Sequence, residues 1–327
     1  MKPYRAPPWL PGGNLQTIYA SWLTPALPAY RRERWTTPDD DFIDLDWLDG
    51  NSSAPLVVLF HGLEGSSRGH YATSLMHALR SAGLRGVVPH FRGCGGEPNL
   101  LARAYHSGDS AEIDWILRRL RSLNSDVPIH AVGVSLGGNA LLKWLGEQGS
   151  EAGQVISSAA AVSAPVDLNA AGNVLGQGFN LVYTRHFMRS LKPKAAKKLV
   201  NYPGLIDQRR LQFAVTLRDF DDVYTAPVHG YLDARDYWTR ASSKPMLRHI
   251  QIPTLLLNAR NDPFLPADIL PTAAEVSAAV TLEYPNQGGH VGFVSGPFPG
   301  NLNWLPQRIL AFIRLTTPMR RLHDKLS

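Results

Sequence analysis

Cysteine is nearly missing: Cys94 is the only one in 327 residues. An intrachain disulfide is excluded, as is a zinc site built on cysteines, and a reducing cytoplasm is the expected compartment. Long apolar runs are missing as well. No stretch approaches the ~20 residues that a membrane-crossing helix needs. The N-terminal MKPYRAPPWLPGGN lacks the apolar core of roughly 7–15 residues typical of a secretory leader. Internal repeats and low-complexity linkers are absent too. What is there, 44% hydrophobic and 18% charged residues, suits a folded chain with a sizeable core. One domain across 1–327 is the simplest organisation.

An acidic excess is also lacking. The net charge is +6, with basic residues gathered over 185–198 and at Arg314, Arg320, Arg321 and Lys325. No zinc-finger or RNA-binding pattern accompanies them, so nucleic acid is not an expected partner. Such a segment can attract an anionic membrane surface, and a weak surface association is one reading. A solvated face is the simpler one.

Residues 1–29, rich in proline, tryptophan and leucine, read as an arm packed on the domain. RRERWTT and FIDLDWL, separated by PDDD, read as a hairpin across 30–50. APLVVLFHG is a continuous apolar run of the kind that forms a central strand buried on both faces. Helical spacing follows at 70–82, with Gly83 as its stop, and GVVPHFRG is a second buried strand. Asp109 and Glu112 read as a capping pair for a helix ending near 123. IHAVGVS is a third strand, LGGNALLKWLGEQG the helix after it, and VISSAAAVSAP a further strand. Strands alternating with helices over 55–165 imply an α/β fold, a mostly parallel sheet with helices on both faces. From 166 to 249 the pattern turns helical, basic and aromatic without a clear strand, as for a helical cap inserted over the sheet. IPTLLLNA and VTLEYP resume the alternation, and an amphipathic helix over 304–315 closes it.

The chemistry concentrates at three places. Gly133-Val134-Ser135-Leu136-Gly137 is a G-x-S-x-G at a strand end and helix start. That sharp turn exposes a serine hydroxyl above the sheet and aims a helix N-terminus at it. A serine needs a base. Among eleven histidines, His290 stands in Gly288-Gly289-His290-Val291-Gly292, after the last predicted strand, where the order Ser, Asp, His puts the base. Asp262, after IPTLLLNA and fixed by Pro263, is the acid that would orient it; Asp268, six residues on, is the alternative. Backbone N–H groups of Leu136 and of Leu63, the latter in His61-Gly62-Leu63-Glu64-Gly65, would hold an oxyanion. His61 itself reads as a residue that holds this loop.

Other features carry less. Arg92-Gly93-Cys94-Gly95-Gly96-Glu97 lacks the G-K-[ST] of a phosphate loop. It reads as a tight rim loop, with Arg92 in a structural ion pair and Cys94 a small buried residue. His229, Asp233 and Asp236 follow no recognised metal-ligand pattern and read as surface or cap residues. No cofactor or metal is expected.

These blocks together resemble the α/β-hydrolase superfamily and, within it, the AB-hydrolase 4 family of YheT-like esterases. The resemblance is carried by LQTIY at 15–19, DDDFIDLDW at 39–47, HGLEGSS at 61–67, HFRGCGGEPN at 90–99, RAYHSGD at 103–109, GVSLGGN at 133–139, NDPF at 261–264 and GGHVGF at 288–293. It implies hydrolysis of carboxylic esters by Ser135, His290 and Asp262. This chain departs from the family at Asn14, where a histidine often precedes LQT. The expected partner is a small-molecule ester with an apolar acyl or alcohol group. A thioesterase or acyltransferase with the same triad, and a non-catalytic binding protein on the same fold, are the rival readings.

Overall fold

The computed structural model describes residues 2–317; Arg320, Arg321 and Lys325 lie outside them. The hairpin forms as β1 (Arg31–Thr36) and β2 (Phe42–Leu48), antiparallel, with Arg31 opposite Trp47 and Thr36 opposite Phe42. The remaining strands are β3 (Leu56–Phe60), β4 (Arg85–Pro89), β5 (Ile129–Val134), β6 (Ser158–Val162), β7 (Thr254–Leu257) and β8 (Val280–Glu283). All six run parallel in an eight-stranded sheet of order β1-β2-β4-β3-β5-β6-β7-β8. The apolar run of β3 serves both faces, as its lack of alternation demands. Leu56, Val58 and Phe60 enter one core cluster, Val57 and Leu59 the other.

The first cluster packs against α3 (Ser110–Leu123) through Ile113, Ile116, Leu117 and Leu120, and against α4 (Leu136–Gln148) through Leu141, Trp144 and Leu145. The second packs against α2 (His70–Ser81) through Leu75, Met76 and Leu79, and against the C-terminal helix Trp304–Thr316 through Ile309 and Ile313. Each such side chain removed from water contributes about 1.5–3 kcal/mol. The arm contains a helix of its own, α1 (Gly13–Trp22). Among the described residues, no strand lies between β6 and β7. That stretch holds α5 (Leu168–Leu175), α6 (Leu181–Asn201) and α7 (Ala234–Ala241) with shorter turns. Met188, Leu191, Leu211, Phe220 and Tyr224 form a small core there. No helix is long and apolar enough to cross a membrane among the described residues.

One local expectation fails. Asp109 is the N-cap residue of α3, but its side chain does not cap. Both its oxygens accept hydrogen bonds from Arg103, at 2.6 and 2.8 Å, and the buried Glu112 accepts from Arg92 Nε at 2.6 Å. Two nearby guanidiniums outcompete the helix N–H groups for these carboxylates, since charge-assisted bonds are the stronger. Arg92 also meets Asp39 and Asp41, so it lies in an ion-pair network.

The topology positions the site. From β3 the chain steps to β4 on one side and returns as β5 on the other. The loops after β3 and β5 therefore diverge, and a crevice opens at the carboxyl ends of these strands.

Candidate active site

Ser135 sits in that crevice between β5 and α4, with φ 52° and ψ −122°. This backbone conformation is rare for a residue with a side chain. Its N–H donates to the Val162 carbonyl at 2.9 Å, which fixes the turn to β6. The neighbours must be small. A Cβ on Gly137 would lie 2.5 Å from the carbonyl oxygens of Phe60 and His61, and one on Gly62 would lie 3.1 Å from Ser135 Cβ. The β3 loop is thereby pressed against the serine.

His290 follows β8, and its Nε2 lies 3.0 Å from Ser135 Oγ. Its Nδ1 lies 2.9 Å from Asp262 Oδ2, on the loop after β7. The other Asp262 oxygen accepts the Phe264 N–H at 2.8 Å. Phe264 stacks on the imidazole, with ring centroids 4.1 Å apart at 25°. Asp268 is exposed in a separate turn over 267–269, so the structure brings Asp262, not Asp268, to the histidine.

In the β3 loop, His61 is fully buried. Its Nδ1–H donates to the Gly62 carbonyl at 2.8 Å, and its Nε2 accepts the Phe91 N–H at 3.1 Å. Burial pushes its pKa down to about 3, so the ring is neutral. The N–H groups of Gly62, Glu64 and Gly65 donate to Tyr71 Oη, Tyr105 Oη and the Gly62 carbonyl. Leu63 N–H meets no acceptor among the described residues. Leu136 N–H belongs to the first turn of α4, where no intrahelical acceptor exists. Leu63, Leu136, Ser135 and His290 all line one cavity of about 240 Å³. Its further walls are mainly apolar, from Leu168, Leu175, Phe187, Leu191 and Phe220.

Sequence reasoning left the residues that hold the His290 loop without a role. Gln16, fully buried in α1, accepts from Gly288 N–H at 2.8 Å and from Asn261 Nδ2 at 3.1 Å. Its amide nitrogen donates to Leu10 O and Gln287 Oε1. Asn261 in turn accepts the Gly289 N–H at 3.0 Å. Thr17 Oγ1 accepts the His290 N–H at 2.8 Å and donates to the Gly13 carbonyl at 2.7 Å. The arm thus clamps the loops that carry Asp262 and His290. The LQT block was the available signal. Asn14, next to it, accepts from Tyr183 Oη at 2.9 Å. Thr17→Val keeps the shape and leaves the His290 N–H unpaired, a loss typically of about 1–3 kcal/mol. If His290 is a catalytic group, the expected result is a kcat lowered about tenfold, since such groups tolerate displacements of only about 0.5 Å, with Thr17→Ser near wild type in a steady-state ester assay.

Most of the basic segment is the expected solvated face, with Arg185, Arg189, Lys194 and Lys197 exposed; Lys198 is the exception. Lys194, Lys197 and Lys198 line the cavity, and Lys198 is buried with its ammonium on the carbonyls of Asn99 and Leu101. Cys94 is half-buried and packs against the first core cluster. Burial pushes its thiol up to about 12, where thiolate is scarce at neutral pH. Asp233 caps α7 through the Asp236 N–H, and Asp236 accepts the Leu232 N–H. His229 packs on His106, with ring centroids 4.5 Å apart.

Comparison with known proteins agrees with this architecture. A match to the alpha/beta hydrolase fold family spans residues 55–297. The chain is 42% identical to the proposed esterase YheT of Escherichia coli K12, over 85% of this chain and 82% of that protein. It is 30% identical to the human phospholipase ABHD3, over 94% of this chain and 77% of the relative. Among solved structures, the esterase Pf2001 of Pyrococcus furiosus superposes with a TM-score of 0.57 at 16% identity, covering 89% of this chain and 92% of that one; at that identity the likeness speaks for the fold. The chain belongs to the α/β-hydrolase fold family, among the relatives of YheT.

Proposed function

We propose that the protein is a serine hydrolase of carboxylic esters, with Ser135 as nucleophile, His290 as general base and Asp262 as the acid that orients it. The observation that carries this reading is the unbroken line from Asp262 Oδ2 through the imidazole to Ser135 Oγ, at 2.9 and 3.0 Å, ending in a largely apolar cavity. His290 takes the serine proton as Oγ attacks the ester carbonyl. The Leu63 and Leu136 N–H groups receive the developing oxyanion, each such donor being worth about 10²–10³ in rate. His290 then protonates the leaving alcohol, and water, deprotonated by the same imidazole, releases the acid from Ser135. Apolar walls suit an acyl or alkyl chain, and the names of the relatives, esterase and phospholipase, are consistent with an ester bearing one.

The test is a fluorophosphonate probe on the purified protein, followed by p-nitrophenyl esters of increasing acyl length. Labelling and turnover with an optimum chain length are expected. A folded protein that neither labels nor turns over any ester would sink the reading.

A further inference from the structure

We infer that Lys194, on the helical segment over the sheet, is a positioning residue for the oxyanion hole: it grips Glu64 and so ties the Leu63 N–H to the seating of α6. The inference rests on the ester-hydrolase reading of the same site.

Glu64 follows the proposed donor and has φ 54°, a left-handed conformation that non-glycine residues adopt only when their surroundings impose it. Two partners impose it. Tyr105 Oη accepts the Glu64 N–H at 2.8 Å and donates back to Glu64 Oε1 at 2.9 Å. Tyr105 itself stacks on Phe91 at the end of the sheet, with rings 6° from parallel. The second partner is Lys194, whose ammonium spans both carboxylate oxygens at 2.8 and 2.9 Å. Tyr105 packs against the first core cluster, while Lys194 comes from α6. The Leu63 side chain packs both against the cluster that contains Met188 and Leu191 and against the first core cluster. Leu63 and Glu64 are therefore both held in part by α6; the Glu64 nitrogen is occupied by Tyr105, and the proposed donor, the Leu63 N–H, lies one peptide before it.

The ion pair is ill suited to a stability role. The lysine side chain is 44% exposed, and the Glu64 carboxylate, only 9% exposed, keeps the Tyr105 hydroxyl as a partner when the lysine is removed, so the pair contributes modestly to folding. Geometry is a more demanding matter. A donor shifted by about 0.5 Å loses much of its grip on a transition state, although the protein remains folded. Seating of α6 then decides whether the hole is assembled, and a displaced helix leaves Leu63 N–H loosely aimed.

The experiment compares Lys194→Met, Lys194→Arg and Glu64→Gln in the full chain. The readouts are kcat and KM for a p-nitrophenyl ester, the affinity of an alkylboronic acid that forms a tetrahedral adduct on the serine, and the urea midpoint. Lys194→Met and Glu64→Gln should lower kcat and boronate affinity together, by about tenfold, a fraction of the 10²–10³ expected for losing the donor outright. KM should stay within about twofold, as for an interaction made only in the transition state. Lys194→Arg should recover most of the loss, and the urea midpoints should match wild type. A raised KM with kcat intact would make Lys194 a substrate contact and overturn the inference. So would an unchanged kcat in Lys194→Met, or a kcat loss that tracks a lowered urea midpoint. A wild type without turnover would instead remove the hydrolase reading itself, so the two failures are distinguishable.

Discussion

Ser135→Ala and His290→Ala should each lower kcat by about 10⁶-fold, and the double variant should lose no more than either alone. The reason lies in the contact between them. His290 Nε2 touches Ser135 Oγ at 3.0 Å, and every task of the imidazole serves an acyl transfer that passes through the hydroxyl: without the hydroxyl there is no acyl-enzyme to form or release, and a hydroxyl without the imidazole is not a nucleophile at neutral pH. Independent contributions would multiply; a shared one saturates. What survives should be the residual acceleration of about 10³–10⁴ over water that oxyanion donors and binding supply without a nucleophile. Neither substitution removes a backbone anchor. The serine turn is held by Ser135 N–H on Val162 O, and the histidine turn by its N–H on Thr17. Far-ultraviolet circular dichroism and urea midpoints should therefore remain close to wild type while the kcat of the best p-nitrophenyl ester collapses. Activity within tenfold of wild type in Ser135→Ala would remove the serine from the mechanism.

The central strands were legible because their apolar runs are nearly unbroken and punctuated by glycine and proline. β3 and β5 are buried on both faces, and nothing polar interrupts LVVLF or IHAVGV except His130, whose ring lies 2.8 Å from Ser158 Oγ in the core. The serine turn was legible because its steric demand is local: Gly137 faces backbone oxygens that no side chain could tolerate. What escaped was long-range. Gln16 bonds to Gly288 across 272 positions, and Thr17 to His290 across 273. No periodicity or spacing encodes such a pairing, so the arm read only as something packed on the domain. The capping pair at Asp109 and Glu112 failed for the same reason. Its pattern is local, but Arg92, twenty positions before Glu112, takes the carboxylate. Lys194 and Lys197 of α6 are exposed, as a solvated face would be, but Lys198 is buried, which escaped because the sequence does not reveal that a cavity lies beneath the helix.

Asp262→Asn should lower kcat by about 10⁴-fold with little change in fold, by the tautomer mechanism known for serine-protease triads, and the local geometry says which way the amide will turn. Phe264 N–H donates to Asp262 Oδ1 at 2.8 Å, and a backbone donor buried at that point needs an acceptor. The asparagine oxygen will go to Phe264, and the NH₂ group will face His290 Nδ1. That nitrogen must then accept, which places the imidazole proton on Nε2, pointing at Ser135 Oγ. An imidazole in this tautomer cannot receive the serine proton, although every heavy atom keeps its place. The ¹⁵N shifts of His290 should report the change from Nδ1–H to Nε2–H at neutral pH, alongside the kinetic loss. Asp268→Asn, exposed in its own turn, should be indistinguishable from wild type in both measurements. If Asp262→Asn kept the Nδ1–H tautomer and still lost activity, Asp262 would be acting through its charge on the imidazolium alone; if Asp268→Asn were the inactive variant, the acid would have been misassigned.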